Sequence, residues 1–137
     1  MPKNKFKWGS RSLERMDGVD IYLIECATRC LFKSRYDMTI PELGGVRSTE
    51  EQNGLFLAGL SKQDGINDLS YHQSGFALDI APVAGYGALD QFYYWANLMY
   101  VEWQIMISEG VNGQLEWGGL FTPNGWDKAH WQRVFKK

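Results

Sequence analysis

Ser70-Tyr71-His72-Gln73-Ser74-Gly75-Phe76-Ala77-Leu78-Asp79 is the stretch from which the rest of the chain can be read. Its second half, continued through Ile80 and Ala81, alternates strictly. Phe76, Leu78 and Ile80 point to one side and Ala77, Asp79 and Ala81 to the other, which is the period of a strand. Large apolar groups on one face anchor such a strand to a core, while the two alanines beside Asp79 leave space next to its carboxylate. His72 precedes Asp79 by seven residues, and an odd separation would put the two on opposite faces of one continuous strand. The Gln73-Ser74-Gly75 interval is therefore predicted to bend the chain, with Gly75 supplying the turn.

The chain has two histidines. The second, His130, closes the tetrapeptide Asp127-Lys128-Ala129-His130. Two imidazoles and a carboxylate match the usual set of three protein ligands around a catalytic zinc, which leaves a fourth position for water. His72, Asp79 and His130 are the candidate ligands, and Asp127 is then free to act as a base on that water. Spacing alone does not bring positions 72–79 and 127–130 together, so a purely structural role for each histidine stays open on the residues themselves.

Working outward, residues 17–33 carry apolar groups at Val19, Leu23, Cys26, Ala27, Cys30 and Leu31, a helical spacing. Met38 to Leu43 alternates as a strand that Pro41 confines to an edge or an interruption. Ser48 and Glu51 fit a capping box, which predicts a short helix from Thr49 to about Gly59. Residues 61–69 are polar and read as a loop. Leu89 to Glu109 is the longest periodic segment and predicts a largely buried central helix. Asn97, Glu102 and Gln104 interrupt any run approaching the roughly 20 apolar residues of a bilayer span. Residues 115–121 and 130–135 read as two terminal strands joined by a Pro-Asn-Gly loop.

At 137 residues the chain fits one domain, residues 1–137, with a core of its own. Its net charge of −2 gives no reason to expect a nucleic-acid partner. Lys3, Lys5, Lys7, Arg11 and Arg15 make the first residues basic, either as a solvated face or as a contact with an anionic envelope. No apolar run follows them, so no signal peptide is expected and the protein should remain in the cytosol where it is made. Cys26 and Cys30, one helical turn apart, are expected to be reduced core thiols. Trp117, Trp126 and Trp131 crowd the two motifs, as core or rim packing or as the lining of a groove.

The first motif matches Ser-x-His-x-x-Gly-x-Ala-x-Asp at every defined position. In this it resembles the zinc D,D-peptidases of the VanX and VanY type and the related phage endolysins that cleave L-alanyl-D-glutamate bonds. Trp117-Gly118-Gly119 followed by Asp127-Lys128-Ala129-His130-Trp131-Gln132 is similar to the second half of that site. Gly45-Val46-Arg47-Ser48-Thr49-Glu50-Glu51-Gln52 resembles a third segment, and order and spacing agree from about residue 37 to 134. The resemblance implies an α+β domain, a small mainly antiparallel sheet with packed helices as in the D,D-peptidases and the Hedgehog signalling domain. It implies Zn2+ on His72, Asp79 and His130, with Asp127 as general base, where many relatives have glutamate. It places Arg47 over the substrate carbonyl, facing an oxyanion or a substrate carboxylate. Ser70 would bind substrate or fix the His72 loop. The implied partner is the peptidoglycan stem peptide, attacked by a monomeric phage or prophage endolysin that waits in the host cytoplasm, inserts in no membrane, and reaches the wall of a Gram-negative host through a holin. A D-alanyl-D-alanine carboxypeptidase shares all these residues, and a non-catalytic zinc-stabilised wall-binding module would share the ligands without needing Asp127.

Overall fold

The computed structural model describes residues 5–135. Helices α1 (Ser10–Arg15) and α2 (Ile21–Lys33) lead into strand β1 (Met38–Thr39), then α3 (Thr49–Leu57), α4 (Tyr71–Ser74), β2 (Ala77–Asp79), β3 (Ala81–Pro82), the long α5 (Leu89–Ser108), β4 (Gln114–Trp117) and β5 (His130–Val134). Every strand pair is antiparallel: β1 with β3 in one sheet, and β2-β5-β4 in the other. The α+β class expected from the sequence is the class observed.

The three-stranded sheet follows the predicted alternation. Leu78 lies opposite Trp131 and Trp117 opposite Trp131 on the next strand, so these side chains share the inner face. The Trp117 and Trp131 rings stack at 5.7 Å, and both residues are buried, which makes them core and not groove. Against that face lie α2, through Leu23, Cys26, Ala27, Cys30 and Leu31, and α5, through Trp95, Met99, Trp103 and Met106. The cysteines are free and buried, as expected of core thiols. No helix among the described residues is long and apolar enough to cross a membrane.

Several elements differ from the sequence reading for local reasons. Residues 10–15 form a helix that was not expected. The second helix begins at Ile21, because Asp20 caps it by accepting from the Leu23 N–H at 3.0 Å. The 38–43 strand shrinks to two residues, with Leu43 turning at φ 60°. The 76–81 strand breaks at Ile80, whose N–H goes to Ala129 O, and Ala81–Pro82 joins β1 instead. The 115–121 strand stops at Trp117, where Gly118–Leu120 coils into a 3-10 turn. The capping box at Ser48 and Glu51 forms as predicted. Of the basic N-terminal run, Lys3 lies outside the described residues; Arg15 donates to Ile40 O at 2.9 Å, so it is part of the fold.

Arg133 ties the sheet to α2. From β5 it donates to Asp20 Oδ1 at 2.8 Å and to Asn112 Oδ1 at 2.8 Å, with both partners of the ion pair nearly buried. Removing one member of such a pair strands the other charge in the interior, at a cost of about 3–5 kcal/mol. Arg133→Ala should lose about that much unfolding free energy in urea titrations; a loss under about 1 kcal/mol would show that the tie is dispensable.

Candidate active site

The β2–β5 register sets Asp79 directly opposite His130 and Ala77 opposite Gln132. All four therefore share the outer face of the sheet, opposite the tryptophans. His72 reaches the same place from α4. Ser70 Oγ accepts from the His72 N–H at 3.1 Å while the Gln73 side chain accepts from the Ser70 N–H at 2.8 Å, a capping box around a single helical turn. Gly75 ends that turn at φ 84°, with Gly18 O so close that a Cβ would stand 2.8 Å from it. Only glycine meets both conditions, and this is the predicted bend between His72 and the Asp79 strand.

The backbone fastens the pieces together. Arg47 N–H donates to His72 O at 3.1 Å and Asp79 N–H to Gly44 O at 2.8 Å. On the opposite side Asp127 N–H donates to Gly118 O, and a Cβ on Gly118 would lie 2.0 Å from Asp127 O. The Gly-Gly segment thus lets the loop carrying Asp127 pack against the 3-10 turn.

The result brings together all four residues picked out by the motifs. His72 Nε2 lies 3.2 Å from Asp79 Oδ1 and 3.2 Å from His130 Nδ1, and His130 Nδ1 lies 3.5 Å from Asp79 Oδ1. Asp127 Oδ2 is 3.8 Å from His130 Nδ1. The outer ring nitrogens decide which atoms carry protons. His72 Nδ1 is 2.9 Å from Gly45 O, a pure acceptor, so Nδ1 carries the proton in the neutral ring. Gln132 Nε2 donates to Glu116 Oε1 at 2.9 Å, which turns Gln132 Oε1 toward His130 Nε2 at 2.6 Å. His130 therefore holds its proton on Nε2. Two bare imidazole nitrogens and a carboxylate oxygen then point at one another with no donor between them.

Three acceptors so close repel one another unless a positive charge sits among them. Asp79 Oδ1 is buried and has no hydrogen-bond partner. Tetrahedral zinc ligands at about 2.0–2.1 Å from the metal stand roughly 3.3 Å apart, and the three separations bracket that value. His72, Asp79 and His130 are thus a group that could hold a metal ion. Titration agrees. Burial would raise the Asp79 carboxyl, but the charge of His72 and hydrogen bonds from both imidazoles, when they carry protons, hold it well below the usual carboxylate range. Burial would likewise lower His130, yet the bond to Asp79 and the charges of Asp79 and Asp127 raise it overall. The cluster attracts a proton when it has no other cation.

Arg47 does more than the sequence suggested. Its Nη2 donates to Asp79 Oδ2 at 3.2 Å, Nη1 to Gln52 Oε1 at 2.9 Å and Nε to Leu43 O at 2.7 Å. It orients the carboxylate from behind, leaving Oδ1 for the cluster. Burial raises the Asp127 carboxyl above its ordinary value, aided by the charge of Asp79 and opposed by the imidazoles and Arg47. An open cavity of about 480 Å³ lies over these groups, with Ser70, Phe121, Trp126 and Lys62 also in its walls. Gly45, Gln52 and Gln132 lie within the quoted motif segments without a role of their own there, and Glu116 and Lys62 lie outside those segments. Gln132 alone had a readable signal there, because it sits two residues beyond His130 on a predicted strand and so shares its face.

The profile of the family described as phage L-alanyl-D-glutamate peptidase matches residues 4–135. The chain belongs to that family. Its fold is similar to the crystal structure of Serratia marcescens L-Ala D-Glu endopeptidase ChiX, with 25% sequence identity and a TM-score of 0.77 over 96% of this chain and 92% of that one. No curated protein matches it in sequence.

Outer partners of this kind typically change metal affinity by about 10–100-fold. Gln132→Ala should weaken zinc binding by that order in competition with a chromogenic chelator, and unchanged affinity would remove the tautomer argument. Because the His130 proton must leave for a metal to bind, and its pKa is raised, affinity should fall as pH drops through the range above that of an ordinary histidine. Calorimetry in buffers of different ionisation enthalpy would detect the released proton; uptake without release would contradict this.

Proposed function

We propose that the chain is a zinc-dependent L-alanyl-D-glutamate endopeptidase of the bacterial cell wall, acting as a phage or prophage endolysin on the peptide stem of peptidoglycan. One observation carries the reading: three acceptor atoms separated by the ligand spacing of a tetrahedral zinc, in a site built on the family's motif. Membership of the phage L-alanyl-D-glutamate peptidase family supplies the substrate class, and the likeness to the Serratia endopeptidase supports it. The motif also supports kinship with the wider VanX and VanY type.

His72 Nε2, Asp79 Oδ1 and His130 Nδ1 would hold the ion. Bound there, zinc would supply Lewis-acid polarisation of the scissile carbonyl and a pKa near 7 for a water. Asp127 borders the same cavity with its carboxylate a third exposed. Its raised pKa suits it to take the proton of that water and to return it to the leaving amine of the D-glutamate residue. Arg47 keeps Asp79 aligned. Three of its five N–H groups are engaged, and the other two are available to the carbonyl oxygen as negative charge develops on it. Ser70 fixes the His72 turn through its oxygen and lines the cavity, where its own proton can meet substrate.

A module that only binds zinc and wall fragments has no need of a base at position 127. Asp127→Ala should keep one zinc per chain by metal analysis while releasing L-alanine-terminated and D-glutamate-terminated fragments from purified peptidoglycan about 100- to 10,000-fold more slowly, followed by mass spectrometry. Free D-alanine as the product would point to a carboxypeptidase instead. Equal turnover by the variant and the parent would overturn the role of Asp127.

A further inference from the structure

Two cationic side chains line the cavity, Arg47 and Lys62. The first is engaged with Asp79, Gln52 and Leu43. Lys62 makes no ion pair among the described residues; its ammonium lies 4.6 Å from the centre of the Trp126 ring. The neighbouring Lys128 donates to Gly125 O at 2.9 Å. Among the described residues, Lys62 is therefore the cavity cation that pairs with no carboxylate.

Its placement is supported from both sides. Ser61 accepts from Gln52 Nε2 at 2.8 Å, and Gln52 accepts from Arg47, so the Lys62 loop is tied to the network that orients Asp79. Trp126 donates to Thr122 O at 3.1 Å and tilts against Phe121, which tilts against His130 at 5.6 Å between ring centres. An aromatic wall thus runs from the metal ligand to the lysine. Trp126 is 44% exposed, an unfavourable position for an indole that only packs, and a natural platform for an ammonium.

The substrate offers a matching charge. In the stem peptide D-glutamate continues the chain through its side-chain carboxyl, so its α-carboxylate stays free, on the carbon beside the nitrogen that cleavage releases. Entering a cavity that already contains Asp79 and Asp127, that anion needs a cation not spent on either. We propose that Lys62, supported on Trp126, is the residue that recognises the free α-carboxylate of the D-glutamate residue and so sets the preference for it over the α-amide found in amidated walls. This rests on the endopeptidase reading of the same site.

The test uses the full chain loaded with zinc and two soluble stem peptides that differ only in carrying D-glutamate or its α-amide, D-isoglutamine. The parent should cleave the carboxylate form with the higher kcat/KM. Lys62→Met should reduce the ratio of the two kcat/KM values by about tenfold, mainly through KM, and Lys62→Arg should restore most of it. A ratio that Lys62→Met leaves unchanged, whether or not both activities fall together, would overturn the assignment while leaving the peptidase reading intact. Failure of the parent to cleave either peptide would overturn the peptidase reading and this inference with it.

Discussion

The site depends on one strand register. Pairing β2 with β5 so that Asp79 faces His130 also places Leu78 against Trp131, and a slip of one residue would send the carboxylate into the apolar layer and the tryptophan into water. The inner face enforces the outer one. Trp131, Trp117 and Leu78 are buried against α2 and α5, so the packing that stabilises the domain is the packing that sets two of the candidate ligands side by side. His72 is brought in separately, by a single capped turn ended by a left-handed glycine.

Electrostatics then complete what packing begins. A neutral imidazole has one donor and one acceptor, and the acceptors of Gly45 and Gln132 occupy the donor nitrogens from outside. What remains inside is acceptor character alone, with Arg47 holding the far carboxylate oxygen. Such an arrangement is unstable empty of positive charge and well matched to a divalent ion. The same low-dielectric surroundings raise Asp127, so one environment favours both a cation at the cluster and a proton acceptor beside it.

Local signals carried much of this. The alternation from Phe76 to Ala81 located a strand and its polar face, the Ser48 and Glu51 pair located α3, and the periodicity of residues 89–109 located α5. His72, Asp79, Asp127 and His130 were legible because chemistry-bearing residues lay in motifs. What the sequence hid depends on distant partners. The strand break at Ile80 comes from a bond to Ala129, the short β1 exists because Ala81 and Pro82 pair with it, and Arg47 could not be seen to grip Asp79, a residue 32 positions away. Trp117 and Trp131 could not be told from Trp126 without knowing which face of the sheet was covered. Lys62 sits in a polar loop with no pattern of its own, and its place at the cavity is a property of the fold.

The central claim is that carbonyl acceptors outside the cluster leave His72 Nε2 and His130 Nδ1 as the metal-facing atoms. Long-range nitrogen–proton NMR spectra of the two imidazoles, recorded on uniformly labelled protein with one equivalent of zinc, test it directly. The account predicts a ring proton on Nδ1 of His72 and on Nε2 of His130, with the opposite nitrogen of each ring shifted by the metal. The reverse tautomer at either histidine, or ring nitrogens that zinc does not shift, would contradict it.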